Sequence, residues 1–172
     1  LMLIGSCFSD SIGARFTAAM MAASVNPLGT LYNPMSIATA VERITRCRLV
    51  QPEELFEANG VWNCFDFHSA FSSATDEGAL QRMNSAITAA HEHLKGCKYV
   101  FLTLGTAITY SLNGVVVGNC HKLPAAQFER RMCSVKEVTD ALEAAVKMLR
   151  EVNMAVKVIF TVSPIRHIAD GL

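Results

Sequence analysis

The sequence predicts an α/β protein built on a parallel β-sheet. Three apolar runs of strand length, residues 1–4, 99–102 and 156–161, are separated by segments in which apolar residues recur at helical spacing. Strands that alternate with helices in this order are typical of a parallel sheet covered by helices. The chain has 172 residues, of which 51% are hydrophobic, so it is long enough to bury the core of one such domain.

The helices are predicted from apolar spacing and from capping residues. Asn33 followed by Pro34 is typical of a helix start, and Asp76 is expected to cap a later helix. Ser134 with Glu137 fits a capping box. The apolar spacing predicts helices over residues 12–23, 37–44, 80–94 and 138–152, and a further short helix over 51–59.

A β-hairpin is predicted after the second core strand. Ile108–Ser111 and Val115–Val117 flank an Asn113-Gly114 pair, which is a strong signal for a tight hairpin turn. The chain opens inside an apolar strand and closes on residues 170–172 without a terminal helix. We therefore expect one domain over residues 1–172 that is truncated at both ends.

The charge pattern argues against a nucleic-acid or membrane partner. The formal net charge is zero, and basic residues are scattered, whereas nucleic-acid binding usually needs a basic surface. The longest apolar stretches are far too short to span a bilayer.

Six cysteines occur without a CxxC pair, so we expect free thiols and a cytoplasmic location.

The chemistry is expected where the strands end, because ligands of open parallel sheets bind beyond the carboxyl ends of the strands. Ser6-Cys7 follows the first strand, Gly105-Thr106 the second, and Arg166-His167 the third. The topology predicts that these three segments converge.

Ser6 and Cys7 lie between a strand and a helix, and two interpretations remain open. A helix N-terminus favours negative charge, so either side chain would there be a candidate nucleophile with amides ready for an oxyanion. The alternative is a Ser N-cap followed by a buried Cys.

A polar segment after the hairpin, Asn119-Cys120-His121-Lys122, offers further binding candidates. Neighbouring side chains of an extended segment point in opposite directions, so a Cys120–His121 dyad is not expected. No motif has zinc spacing, and no Gly-x-Ser-x-Gly, Walker or Gly-x-Gly-x-x-Gly motif occurs. We expect no metal and no cofactor.

Six segments together resemble the bacterial GSCFA family, and they occur in order along essentially the whole chain. They are residues 5–9, 26–34, 66–71, 103–107, 119–122 and 163–167. The first reads Gly-Ser-Cys-Phe-Ser, with Ser9 in place of the Ala in the family's name. The family is similar to the SGNH/GDSL hydrolases, which implies a three-layer, flavodoxin-like α/β fold, C-terminally incomplete here.

The resemblance implies an esterase or deacetylase-type acyl transfer on a small-molecule or carbohydrate acyl ester. In the superfamily the nucleophile stands two residues after a glycine. Counted from Gly5, that position is Cys7, and Ser6 is the second candidate. Gly29 matches the glycine whose amide holds the oxyanion. Gly105, Thr106, Asn119, His121 and Arg166 are the implied substrate-binding positions.

Two departures from the superfamily pattern stand out. Ala107 replaces the asparagine that helps to hold the oxyanion, so Asn33 or Asn119 is expected to substitute for it. The acid/base histidine comes from a late Asp-x-x-His motif, which does not occur before Leu172. His167 is the local candidate, and it is equally well placed to be a pocket residue.

These departures keep two alternatives to an enzyme open. One is a ligand-binding module derived from the SGNH fold that binds a carbohydrate or peptide without turnover. The other is a fragment that does not fold stably alone, because an incomplete parallel sheet leaves an exposed edge.

Overall fold

The chain alternates between strands and helices in a computed structural model that describes residues 1–164. The helices are α1 (Cys7–Ala18), α2 (Pro34–Thr45), α3 (Asp76–Lys95) and α4 (Val135–Val152). The strands are β1 (Met2–Gly5), β2 (Ser24–Val25), β3 (Leu55–Ala58), β4 (Val61–Cys64), β5 (Tyr99–Leu104), β6 (Ile108–Leu112), β7 (Val115–Val117), β8 (Glu129–Met132) and β9 (Lys157–Val162).

Four of these strands form a parallel sheet flanked by helices, so the predicted α/β class is confirmed. The strand order is β2-β1-β5-β9, and every neighbouring pair is parallel. Gly5 is in register with Thr103, and Leu104 with Val162. The carboxyl ends of β1, β5 and β9 therefore lie along one edge of the sheet.

The core lies between the sheet and the helices α2, α3 and α4. Alternate residues of β1 and β5, such as Ile4 and Leu102, belong to one buried cluster with Ile44, Met83 and Leu149. The intervening strand residues point to the opposite face, since strand side chains alternate.

Helix α1 covers that opposite face, where the Phe16 and Phe101 rings lie 5.9 Å apart between centroids. Among residues 1–164 no helix has the length and apolarity needed to cross a membrane.

A short antiparallel hairpin replaces the helix that we expected over residues 51–59. After a single 3₁₀ turn at Pro52–Glu54, β3 pairs with β4. Asn59 and Gly60 make the turn, with φ values of 55° and 73°. Asn-Gly is the typical hairpin signal, and it outweighs the weak helical spacing here.

The second antiparallel element is a three-stranded sheet, β7-β6-β8, between β5 and α4 in the sequence. β6 and β7 are joined at Asn113-Gly114, where φ is 51° and 80°. β8 pairs with the other edge of β6, and the sequence did not predict this strand.

Two helix starts match the expected caps and a third does not. Asn33 accepts from the Ser36 amide, and Ser134 forms a capping box, as predicted. Helix α3 is capped by Thr75, whose hydroxyl accepts from the Gly78 amide, and not by Asp76. Asp76 is the first helical residue. Its negative charge is stabilised there by the dipole of the helix.

Candidate active site

Thr103 of β5 organises the end of β1. The Ser6 amide donates to the Thr103 carbonyl at 3.0 Å and to its Oγ1 at 2.9 Å. The hydroxyls of Ser6 and Ser9 lie 3.2 and 2.8 Å from the same Oγ1. Ser6 is 6% exposed, so its hydroxyl belongs to this buried cluster.

Cys7 is the first residue of α1, and its side chain is exposed. Ser6 is the N-cap residue, but its side chain makes no cap hydrogen bond because it is turned toward Thr103. The first amides of α1 are therefore left without a side-chain cap, next to an exposed thiol. Such uncapped amides favour negative charge.

Tyr32 links Cys7 to the end of β5. Partial burial, together with the charge of Cys7 and a hydrogen bond with it, raises the pKa of the Tyr32 phenol. Its carbonyl accepts from the amides of Gly105 and Thr106, at 2.9 and 3.0 Å. Tyr32 was not predicted as a site residue. Its position directly before the Asn33-Pro34 helix start was the feature of the sequence that could have indicated it.

A cavity of about 370 Å³ lies next to Tyr32 at this edge of the sheet. It brings together three predicted site residues from separate segments. Its polar lining consists mainly of Tyr32, Asn33, Thr106, Tyr110, Asn119 and Arg130. Gly105 lies beside it, where an added Cβ would come to 3.0 Å from the Tyr32 ring.

The structure corrects the role expected of Gly29. Its amide donates to the Asn26 carbonyl at 2.7 Å, so it is not offered to an oxyanion. Its φ is +89°, and a Cβ at this position would collide with His68. Gly29 therefore allows a tight turn to pack against His68.

Asn26 connects this turn to the site. Its Oδ1 accepts from the Gly5 amide at 2.9 Å, and its Nδ2 donates to Asp10 at 2.7 Å. Asp10 also accepts from the Thr30 hydroxyl at 3.0 Å. The side chain of Asn26 thus joins the end of β1 to the first turn of α1.

The structure buries His121, one of the expected substrate-binding residues. The residue is 5% exposed, with Nε2 2.9 Å from the Cys64 carbonyl and Nδ1 3.0 Å from the Ser69 hydroxyl. Burial lowers the pKa of the imidazole. Both ring nitrogens have partners within the protein, and His121 thereby ties its loop to β4.

The third predicted segment is described only at its start. The Ser163 amide donates to the Leu104 carbonyl at 3.0 Å, which places Ser163 at the same sheet edge. Arg166 and His167 lie outside the described residues.

A buried ion-pair network around Arg43 was not predicted. Arg43 of α2 is 1% exposed, and its guanidinium donates to the carboxylates of Glu54 and Asp66. Arg48 reaches the same carboxylates from the surface. The network fixes the segment between β4 and α3 that contains Asp66.

The cysteines differ in their surroundings, and all six are unpaired. Burial raises the pKa of the Cys64 thiol to about 11 and also raises that of Cys97. Cys7 is the exposed one. Within residues 1–164 no group of His, Cys, Asp and Glu side chains could hold a metal ion.

These features define an α/β protein with a candidate site at the carboxyl edge of a parallel sheet, where an exposed thiol adjoins a polar cavity. The chain belongs to the GSCFA family, which it matches over residues 1–172. Comparison with curated proteins and with solved structures gave no match.

Proposed function

We propose that the chain is an SGNH-like acyl hydrolase or acyltransferase in which Cys7 is the nucleophile. The strand order β2-β1-β5-β9 supports this, since it corresponds to the first four strands of the flavodoxin-like order. In such sheets the ligand binds where the order reverses, which here is between β1 and β5. Cys7 follows β1, and Gly105 follows β5, at that point.

The observation that carries the proposal is the contrast between Ser6 and Cys7. The Ser6 hydroxyl is buried against Thr103, whereas the Cys7 side chain is exposed at the helix start. A nucleophile has to reach a substrate carbonyl, and of the two candidates Cys7 is the exposed one. The register of the superfamily motif selects the same residue.

The reaction would proceed through a thioester. The Cys7 thiolate attacks the ester carbonyl, and the carbonyl oxygen becomes an oxyanion next to the uncapped amides of α1. The C–O bond then breaks, and the alcohol leaves with a proton from a general acid. Water, or an acceptor hydroxyl, attacks the thioester and regenerates the thiolate.

The proton carrier in this scheme is a histidine, and His167 is this chain's candidate. The four histidines among residues 1–164 have partners elsewhere: His68 accepts from Ala70, and His121 is buried. His91 and His93 bond backbone carbonyls of Ile44 and Leu1.

A second candidate function is ligand binding without turnover on this fold. It is favoured by the occupied amide of Gly29, because one expected oxyanion donor is then missing. Ala107 in place of an asparagine points the same way.

Hydrolysis of p-nitrophenyl acetate distinguishes the two functions. We expect the parent and Ser6→Ala to release p-nitrophenol, and Cys7→Ala to fall to the rate of the buffer. Cys47→Ser is the matched control, because Cys47 is a partly exposed thiol outside the site. Equal rates in the parent, Cys7→Ala and Cys47→Ser would favour binding alone.

A further inference from the structure

The cavity beside Tyr32 has an unusual distribution of hydrogen-bonding atoms. The side-chain oxygens of its asparagines are already occupied: Asn33 Oδ1 accepts from Ser36 N at 2.8 Å, and Asn119 Oδ1 from His121 N at 2.7 Å. These bonds fix the orientation of both amide groups. Each asparagine therefore offers the cavity its Nδ2 donors and not its acceptor.

Thr106 and two backbone carbonyls of the wall also accept hydrogen bonds within the protein. Thr106 Oγ1 accepts from the Ile108 amide at 3.1 Å, which leaves the hydroxyl proton to donate. The Tyr32 carbonyl already accepts two amides, and the Val117 carbonyl accepts from the Ser36 hydroxyl at 3.2 Å. The side-chain oxygens of Asn33, Thr106 and Asn119 thus each accept a hydrogen bond within the protein.

The charge of the wall agrees with this. None of the described residues that line the cavity is acidic. A sugar hydroxyl needs an acceptor for its proton, whereas an anionic oxygen accepts only. The described part of this lining, with side-chain donors and no carboxylate, thus fits an anion better than a neutral polyol.

We propose that this cavity binds an anionic oxygen group, a carboxylate or a phosphate, of the acyl substrate. The inference rests on the proposed function, since it makes the ester attacked by Cys7 part of an anionic molecule. Tyr32 lies between the two subsites, because it both contacts Cys7 and lines the cavity. Asn33, Thr106 and Asn119 are then the specificity-determining residues.

Titration calorimetry with three probes tests the proposal directly. Glutarate and inorganic phosphate are the anions, and glutaramide is the uncharged analogue of glutarate. We expect one anion to bind the 172-residue protein about tenfold or more tightly than glutaramide, because hydrogen bonds to charged groups are the stronger ones. The tighter of the two anions identifies the group as carboxylate or phosphate.

Asn119→Asp is the decisive variant, because Asp keeps an oxygen for the His121 amide and replaces only the donor group. We expect it to lose about tenfold or more in affinity for the anion. Asn33→Asp is the second variant, since Asp is also a good N-cap. Asn113→Asp, in the β6–β7 turn, is the control with the same charge change and should bind as the parent does.

Equal binding of all three probes, or unchanged anion affinity in both cavity variants, would overturn the proposal. Cys7→Ala separates it from the proposed function, since this variant should keep anion binding while losing hydrolysis. If the parent binds the anion but hydrolyses no ester, the proposed function is wrong and the proposed anion site is still supported.

Discussion

The Ser6 amide donates to two atoms of one residue, the carbonyl oxygen and the hydroxyl oxygen of Thr103, at 3.0 and 2.9 Å. Thr103 is the residue in register with Gly5, so this pairing closes the β1–β5 ladder. It turns the Ser6 side chain inward and starts α1 at Cys7. The exposure of the candidate nucleophile is thus a consequence of how β1 ends.

Replacing Thr103 with Val should weaken this junction. The hydroxyls of Ser6 and Ser9 would lose their partner in a buried site, so we expect the free energy of unfolding to fall by about 2 kcal/mol. Urea denaturation measures the change. Thr139→Val, on the exposed face of α4, should change it by less than about 0.5 kcal/mol. A loss no larger at Thr103 than at Thr139 would contradict the role of the junction.

Gly5 should tolerate no side chain. Its φ is +141°, and a Cβ there would collide with the Thr103 backbone, so Gly5→Ala should cost about 3 kcal/mol or more. Gly60 is the matched control, because its φ is +73° but nothing lies within 4 Å of an added Cβ. Gly60→Ala should cost only about 1 kcal/mol, the backbone strain alone. If Gly5→Ala and Gly60→Ala lower the free energy of unfolding equally in urea denaturation, then β1 and β5 do not lie as close together at Gly5 as the structure has them.

Alkylation should distinguish Cys7 from the other thiols. Cys7 is exposed, whereas Cys64, Cys97 and Cys133 are buried, so iodoacetamide should label Cys7 first. Peptide mapping of briefly treated protein measures the order. Simultaneous slow labelling of all six thiols would be inconsistent with a reactive cysteine at the helix start.

Glu54 should make the free energy of unfolding depend on pH in the acidic range. Burial alone would raise the pKa of its carboxyl, but the hydrogen bonds from Arg43 and the Gln51 amide lower it overall. A carboxyl whose folded pKa is depressed contributes stability above its unfolded pKa, and this is lost as pH falls through the folded value. The unfolded value is near 4.5, so the loss should appear below it.

Urea midpoints measured between about pH 6 and pH 3 test this expectation. The parent should lose more stability over that interval than Glu54→Gln, whose amide does not titrate. Glu92→Gln is the control, since Glu92 pairs with Lys95 on the exposed surface of α3. Parallel pH profiles for the parent and Glu54→Gln would rule out a contribution of Glu54.

The sequence predicts the elements that depend on local patterns. The apolar runs of β1, β5 and β9 and the capping residues Asn33 and Ser134 were identified correctly, because each signal lies within a few residues. The short strands were harder to predict. β8 has the exposed, charged sequence Glu-Arg-Arg-Met, and its pairing with β6 comes from a contact distant in the chain.

The candidate site was predicted by position and not by side-chain direction. Asn33, Thr106 and Asn119 were predicted in three separate segments, and they line one cavity. The choice between Ser6 and Cys7 depended on Thr103, which lies 97 residues further along the chain. The burial of His121 depended likewise on Cys64 and Ser69. Such distant partners leave no trace in local spacing.

The most direct test of the account is the mass of the protein after brief mixing with p-nitrophenyl acetate. We expect one acetyl group per chain, bound to the tryptic peptide that contains Cys7, and removed by hydroxylamine as a thioester is. Ser6→Ala should acquire the same adduct, and Cys7→Ala should acquire none. Acetylation of Ser6, or of a lysine to the same extent in the parent and Cys7→Ala, would contradict nucleophilic catalysis by Cys7.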